Sequence, residues 1–305
     1  MAHLVSKPAI LAATGAAVLA GVGLYTWQVS RRPSGLEIFF FNTKGAPAIL
    51  VRTPDDRRLL IDGGANADII RQISRVLPFY SRRVDELMLT TTDTKHVGGL
   101  IEVAKRYEVS RVYEPLSEGT SVMTPDDLPS MDFFQALLRK QKISPIKLVR
   151  EQEIIPGHGL VSGEVTDVSV EILFPRPVGE FAYSTASPPQ IVWRLRYGQT
   201  SLVFLGGASS KVQKSLVPDL IPTDILVISR NPASGNLVPA VLTATAPTDI
   251  VFSRSPSITG SSRSSKTAVP DPLAGFMPDR QFNIQTTEII HIVSDGRQIK
   301  INKNP

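Results

Sequence analysis

The chain has 305 residues, of which 42% are hydrophobic and 20% charged, as is typical of a folded protein with a sizeable core. Its formal net charge of +5, from 33 basic and 28 acidic residues, permits an anionic partner but indicates no concentrated basic region. The lack of cysteine excludes disulfides, cysteine-ligated zinc and cysteine nucleophiles, and four histidines are too few for a histidine-rich binuclear metal centre.

The N-terminal stretch 8–30 carries no charge and is bracketed by basic residues. At about 1.5 Å per residue, a helix of this stretch is roughly 35 Å long, enough to cross the hydrocarbon core of a membrane. We therefore predict a single-pass transmembrane helix in a membrane-anchor segment 1–34, followed by one folded domain, 35–305. A cleaved signal peptide, with Val18-Leu19-Ala20 as its cleavage site, and a buried helix of a soluble protein are the alternatives. The side of the membrane that holds the domain is undetermined.

Strand and helix patterns alternate from Leu36 onward. The run LEIFFF at 36–41 and the segment PAILVRTPDDRRLLIDGG at 47–64 predict three strands, the last two joined by a turn. The next predicted elements are a helix at 67–77, a strand at 84–90, a helix at 99–107 and a strand at 109–115. Short connections between alternating strands and helices are typical of α/β proteins.

The second half of the chain repeats this order less regularly. Its predicted elements are a loop at 116–130, a helix at 131–141, strands at 147–151 and 168–175, a hairpin at 190–207, a helix at 209–217, a strand at 224–230, a serine-rich loop at 253–265 and a hairpin at 287–301. Each half of the chain begins with strands and continues with alternating helices and strands. This order predicts an α/β fold of the α+β type, with two sheets in one domain.

Two segments, ILVRTPDDRRLLIDGG at 49–64 and LTTTDTKHVGGL at 89–100, resemble motifs of a known fold. They are similar to the metallo-β-lactamase fold and, more narrowly, to the soluble domain of ComEC-type DNA-internalisation (competence) proteins. That family reads roughly DVGQGDAILIxTPxGxxxLIDGG in its first strands and THxDxDHxGG in its metal loop. SVEILFP, VWRLRYGQTSLVFLGG and DILVISRN stand where the family has later motifs. The resemblance covers nearly all of residues 36–301 and implies a four-layer αββα sandwich.

The metal loop keeps only part of the family's ligand set. Aligned without gaps, the first histidine of the family falls on Thr91 and the aspartate of the second ion falls on Lys95. Asp93 and His96 are the positions that match. The resemblance therefore leaves one loop ligand for each of the two ions.

The downstream ligand positions are changed as well. The family's bridging aspartate falls on Gly207, and its last histidine falls on Arg230 or Asn231. Because a catalytic ion usually needs three protein ligands and a water, we predict that the hydrolytic centre is lost, that no residue is catalytic and that no metal cofactor is bound. The vestigial pocket predicted in this way comprises Asp62, Thr91, Asp93, Lys95, His96, Gly207, Arg230 and Asn231.

Lys95 has two interpretations. Its ammonium could fill the space of the lost second ion and pair with Asp93 or Asp62, or its side chain could point to solvent. His96 is interpreted as a packed or hydrogen-bonded histidine rather than as a metal ligand.

Other chemistries find little support. No GxSxG nucleophile motif is present, and LGGASSK lacks the spacing of a phosphate-binding loop, so we predict no nucleotide cofactor. His158 lies in a Gly-Pro turn and is interpreted as a surface residue, and His291 as an outward-facing residue of a strand.

Three functions are compatible with these features. The leading hypothesis is a membrane-anchored, non-catalytic binding or scaffold protein linked to DNA uptake or the cell envelope, with DNA or a multi-span membrane channel protein as candidate partner. The second is a metal-dependent phosphodiesterase or nuclease that holds zinc or manganese through relocated ligands, Asp62, Asp93, His96 and Asp224. The third is a structural envelope protein that uses the fold as an interaction surface.

Overall fold

The computed structural model describes residues 33, 35–43, 45–116, 128–161, 168–177, 190–228, 237–253, 273 and 278–303. The predicted transmembrane helix lies outside these residues, as do nearly all of the serine-rich loop, Arg230 and Asn231. None of the helices within the described ranges is long and apolar enough to span a membrane.

The described residues form strands and helices in the alternating order that the sequence predicts. In chain order the strands are β1 (Leu36–Phe41), β2 (Ala48–Arg52), β3 (Arg58–Ile61), β4 (Glu86–Met88), β5 (Arg111–Pro115), β6 (Ile146–Leu148), β7 (Glu153–Ile155), β8 (Gly159–Val161), β9 (Ser169–Phe174), β10 (Val192–Tyr197), β11 (Thr200–Gly206), β12 (Ile225–Ile228), β13 (Asp249–Phe252), β14 (Gln281–Asn283), β15 (Ile289–Ser294) and β16 (Ile299–Lys303). The α-helices are α1 (Asp68–Val76), α2 (Thr94–Arg106), α3 (Leu128–Lys140), α4 (Ser210–Leu216) and α5 (Pro239–Thr245).

The strands assemble into two mixed sheets. The first has the order β16-β15-β1-β2-β3-β4-β5-β6 and the second the order β14-β13-β12-β11-β10-β9-β7-β8. In the first sheet β1, β2 and β3 pair antiparallel, whereas β3, β4, β5 and β6 pair parallel. We call the edge at which β3, β4 and β5 end the upper edge, and the edge at which they begin the lower edge.

Alternate strand residues build separate hydrophobic layers. Ile38 and Phe40 face the second sheet and pack in one cluster with Trp193 and Phe204, whereas Phe39 and Phe41 face the helices on the other side. Helices α1, α2 and α3 cover the outer face of the first sheet, and α4 and α5 cover the outer face of the second. The four-layer αββα sandwich that the resemblance implied is therefore the architecture observed.

The structure differs from the sequence prediction most clearly at α2. This helix begins at Thr94, five residues before the predicted start at 99, so the second half of LTTTDTKHVGGL is helical. Val97, Leu100, Ile101 and Ala104 supply its buried face. The glycine pair within the first two turns concealed this helical periodicity, because glycine is a poor helix former. Helix α5 and strands β7, β8, β13 and β14 were not predicted.

Candidate functional site

The centre of the site is the buried carboxylate of Asp62, at the upper end of β3. Asp62 is 2% exposed and has a left-handed backbone, with φ of 56°. Its Oδ1 accepts a hydrogen bond from the Thr90 backbone N–H at 2.9 Å, and its Oδ2 accepts one from the Thr90 hydroxyl at 2.6 Å. The His96 Nδ1 lies 2.8 Å from the same Oδ2. One carboxylate therefore ties β3 to the loop after β4 and to the first turn of α2.

Asp93 has a local structural role. Its backbone is extended, and its Oδ1 accepts a hydrogen bond from the Lys95 backbone N–H at 2.8 Å, so Asp93 is the N-cap of α2. The Lys95 side chain is exposed and makes no ion pair with Asp93 or Asp62 within the described part of the chain. The structure therefore agrees with the interpretation in which the Lys95 side chain points to solvent.

The two glycine pairs of the motifs contact each other. The Gly63 N–H donates to the His96 carbonyl at 2.9 Å, and the Gly99 N–H donates to the Gly64 carbonyl at 2.9 Å. A Cβ on Gly99 would collide with the Gly63 carbonyl group, and a Cβ on Gly98 would collide with the carbonyl of Ala65. These glycines are needed because the backbone of α2 packs directly on the turn after β3.

Thr91 belongs to a contact between the two sheets. It forms an isolated antiparallel bridge with Gln190, and the Ile191 N–H donates to the Thr90 carbonyl at 2.7 Å. The Gln190 carboxamide lies against Gly206, at the end of β11, so a side chain at Gly206 would collide with it. Gly207 follows directly, which places the predicted bridging position on the same upper edge as Thr91. Gln190 was missed by the sequence analysis, since nothing local distinguishes it.

The pKa of His96 is set by two opposing effects. Burial disfavours the imidazolium and lowers the pKa, but the carboxylate of Asp62, hydrogen-bonded to Nδ1, and the more distant Asp93 raise it further than burial lowers it. The net result is a pKa above the ordinary value of about 6.5.

This shift predicts a stability that falls with rising pH. The folded-state pKa of His96 lies above its unfolded value. Its contribution to the free energy of unfolding is therefore fully present below about pH 6.5 and is lost as the pH rises through the folded-state pKa. Urea unfolding of the protein and of its His96→Gln variant between pH of about 5 and about 9 measures this dependence. The His158→Gln variant, which changes an exposed turn histidine, is the matched control. A His96→Gln protein that keeps the full pH dependence of the parent contradicts the assignment.

The residues at the predicted ligand positions do not fit a binuclear metal centre. The Asp62 carboxylate already accepts hydrogen bonds from Thr90 and His96, one oxygen of Asp93 caps α2, and Asp62 holds Nδ1 of His96, which leaves only Nε2 for a metal ion. Lys95 adds a cation, and Gly207 has no side chain. Within the described residues, no group of three His, Asp or Glu side chains is arranged to hold a metal ion.

The relocated ligand set of the hydrolase hypothesis is not brought together. Asp224 immediately precedes β12, and its Oδ2 accepts a hydrogen bond from the Ser201 N–H at 2.8 Å, near the beginning of β11. Because β11 and β12 are parallel and β11 ends beside Gln190 at the upper edge, Asp224 lies at the lower edge. The interpretation of Asp224 as a partner of Asp62, Asp93 and His96 was wrong.

A second buried polar cluster, which the sequence analysis did not identify, lies at the lower edge. Glu86 is fully buried, and its Oε1 accepts hydrogen bonds from Arg111 at 2.7 Å and from the Tyr113 hydroxyl at 3.2 Å. Burial raises the pKa of Glu86, although the Gly157 backbone and Arg111 oppose the shift. Arg111 also donates to the Gly157 carbonyl at 3.2 Å. The cluster therefore joins the first sheet to the β7–β8 hairpin and has a structural role.

The two other histidines that the structure describes lie away from the Asp62 network. His158 is exposed in the turn between β7 and β8. His291 faces away from the core between the sheets, as predicted, but it stacks on Phe39 with ring centroids 4.2 Å apart and lies 3.3 Å from Glu37.

A cavity of about 520 Å³ lies beside the site. Residues 65–67, α2 and α3 line it, with Lys105 placed 4.9 Å over the ring of Phe133. Asp62, Asp93 and His96 do not line this cavity. The network around Asp62 is therefore separate from this cavity.

No protein-family model and no curated protein matches this chain. Among solved structures, it is similar to the metallo-β-lactamase fold protein YhfI from Bacillus subtilis, with 14% identity, a TM-score of 0.46, and coverage of 71% of this chain and 85% of that one. Human tRNase Z, short form, is 13% identical, with a TM-score of 0.43 and coverage of 71% and 91%. CmlA, a diiron β-hydroxylase from Streptomyces venezuelae, is 17% identical, with a TM-score of 0.44; the match covers 72% of this chain and 45% of CmlA.

Proposed function

We propose that this chain is a membrane-anchored protein of the metallo-β-lactamase fold that has lost the binuclear metal centre and acts as a binding or scaffold protein in DNA uptake or in the cell envelope. The proposal rests on the contacts of the two residues that match the family's metal ligands in the loop. Asp93 caps a helix, and His96 is held by the buried Asp62. Both matching residues therefore have a structural role, and among the described residues no group of three His, Asp or Glu side chains is arranged to hold a metal ion beside them.

Motif order and architecture together support the fold assignment. The Asp-Gly-Gly turn after β3 and the Gly-Gly pair in α2 occur where the family motifs have them, and they meet in space. Two facing sheets with helices on both outer faces surround this contact.

The membrane anchor rests on the uncharged stretch 8–30. Five residues, 31–35, separate this stretch from β1. In this proposal the domain is thus held close to the bilayer.

The basic side chains that the structure describes on β10 do not form a free patch for nucleic acid. Arg194 is buried, and its Nη1 lies 3.0 Å from Glu171. Arg196 pairs with Glu153 at 3.1 Å. Gel retardation of single- and double-stranded DNA at low salt distinguishes a role in DNA uptake from a role in the cell envelope. Salt-sensitive binding supports DNA uptake, and absence of binding supports a protein partner in the envelope.

We expect the purified full-length protein to contain far less than one zinc or manganese per chain. We also expect the Thr91→His, Lys95→Asp double variant to lack phosphodiesterase activity, because Gly207 still supplies no bridging carboxylate. Elemental analysis and hydrolysis of a chromogenic phosphodiester measure these two quantities, with the Thr91→Ala, Lys95→Ala double variant as control. Close to two metal ions per parent chain, or hydrolysis that appears only in the His/Asp variant, would show that the ligand assignment is wrong.

A further inference from the structure

The turn between α1 and β4 exposes two neighbouring aromatic rings. Phe79 is 88% exposed and Tyr80 is 47% exposed, and their rings meet edge to face with centroids 5.5 Å apart. Aromatic rings exposed side by side are unusual on a surface that faces only water, whereas scattered single ones are common.

This turn is held firmly against the lower edge of the first sheet. The Ser81 N–H donates to the Pro78 carbonyl at 2.8 Å, and the Ser81 hydroxyl accepts a hydrogen bond from the buried Arg58. Arg58 also donates to the Arg83 carbonyl at 3.0 Å. The aromatic pair is therefore presented on a fixed support.

One arginine beside the rings makes no ion pair with a described residue. Asp85 lies 3.6 Å from Arg57 and 3.4 Å from Arg83, so this carboxylate is neutralised within the edge. Arg82 is exposed and makes no ion pair with any described residue, whereas Glu108, the exposed acidic neighbour, meets it only through the backbone. An aromatic pair followed by a cation is the composition of protein segments that sit at a membrane interface.

The chain enters the domain at this same edge. Because β1 runs in the direction of β3 and β4, it begins at the lower edge, three strand spacings or about 14 Å from β4. The predicted anchor ends at residue 30, and five residues can span at most about 17 Å before β1. An inserted anchor therefore brings the bilayer surface to the lower edge.

We propose that residues 78–83 form a membrane-contact surface, in which Phe79 and Tyr80 enter the headgroup region of the bilayer and Arg82 meets lipid phosphate. This inference rests on the membrane anchor of the proposed function. It fixes the orientation of the domain, so that the upper edge, with Asp62 and His96, faces away from the bilayer and toward a partner.

The lack of native cysteine allows the contact to be measured at single positions of the full chain. Phe79→Cys and, as matched control on the exposed upper edge, Ala67→Cys are labelled with the same fluorophore and reconstituted in vesicles of equal parts phosphatidylcholine and phosphatidylglycerol. Headgroup nitroxide lipids are expected to quench the label at 79 at least about twofold more than the label at 67. Adding Tyr80→Ser to the Phe79→Cys protein should reduce that quenching.

The outcomes separate this inference from the anchor itself. Equal quenching at both positions, in protein that resists alkaline carbonate extraction, overturns the membrane-contact surface and leaves the anchor intact. Release of the protein by carbonate removes the anchor and this inference together. Quenching of the label at 79 by a quencher-bearing single-stranded DNA in place of lipid overturns the inference in favour of a nucleic-acid surface.

Discussion

Replacing Asp62 with alanine is expected to lower the free energy of unfolding by about 3–5 kcal/mol, because a buried carboxylate that partners several groups is removed. The substitution leaves the Thr90 N–H and hydroxyl and Nδ1 of His96 without their acceptor. It also places alanine at a backbone φ of 56°, which disfavours side chains other than asparagine, aspartate and histidine. Urea unfolding with an unchanged m-value is the measurement.

Asp62→Asn is the matched control for this prediction. Asparagine tolerates the left-handed backbone and keeps an oxygen that accepts from the Thr90 N–H, but it loses the charge that favours protonated His96. Its expected cost is smaller, about 1–2 kcal/mol. An alanine variant within about 1 kcal/mol of the parent would contradict the role of Asp62 as the centre of the network.

The sequence predicted the architecture well because its signals are local. The short apolar runs of β2 and β3 and the turn between them can be recognised without knowledge of distant residues. The turn signal at Asp62-Gly63-Gly64 also marked the end of β3 correctly. The start of α2 was missed because the capping role of Asp93 was not recognised and the glycine pair weakened the helical pattern.

The site was harder to predict because its contacts are long-range. Gln190 reaches the site from a position about one hundred residues beyond Thr91, and Glu86 meets an arginine on a neighbouring strand. The choice between the two interpretations of Lys95 needed the first turn of α2, which directs this side chain to solvent. The alignment with the family motifs identified the residues of the predicted pocket, but their contacts could be known only from the structure.

The retained motif residues have a structural role that does not depend on a metal. Asp62, Thr90 and His96 join β3 to α2 through direct hydrogen bonds, and the glycine pairs allow the backbones of these two elements to touch. Thr91 and Lys95 are not part of these hydrogen bonds between side chains. In the proposed function, ligand positions whose side chains make none of these hydrogen bonds were free to change, whereas positions whose side chains make them were not.

Because the glycine pairs touch, we expect one glycine-to-alanine substitution in a helix to destabilise the protein, where such a change ordinarily stabilises it. Gly99→Ala in the interior of a helix ordinarily stabilises by about 1 kcal/mol. Here the new Cβ would collide with backbone atoms of Gly63, which is held in place by its hydrogen bond to the His96 carbonyl at 2.9 Å. We therefore expect the free energy of unfolding to fall by about 2–3 kcal/mol, as for other overpacked interior positions.

Thr243→Ala is the control, since it improves helix propensity at an exposed position of α5 and should raise the free energy of unfolding by a few tenths of a kcal/mol. Urea unfolding of both variants distinguishes the effect of helix propensity from the effect of the contact between Gly99 and Gly63. Stabilisation by Gly99→Ala equal to that of the control would mean that α2 does not rest on the turn after β3. A fall in stability confined to Gly99→Ala would instead mean that HVGG is kept by packing on Asp62-Gly63-Gly64, a requirement that holds whether or not a metal was ever bound.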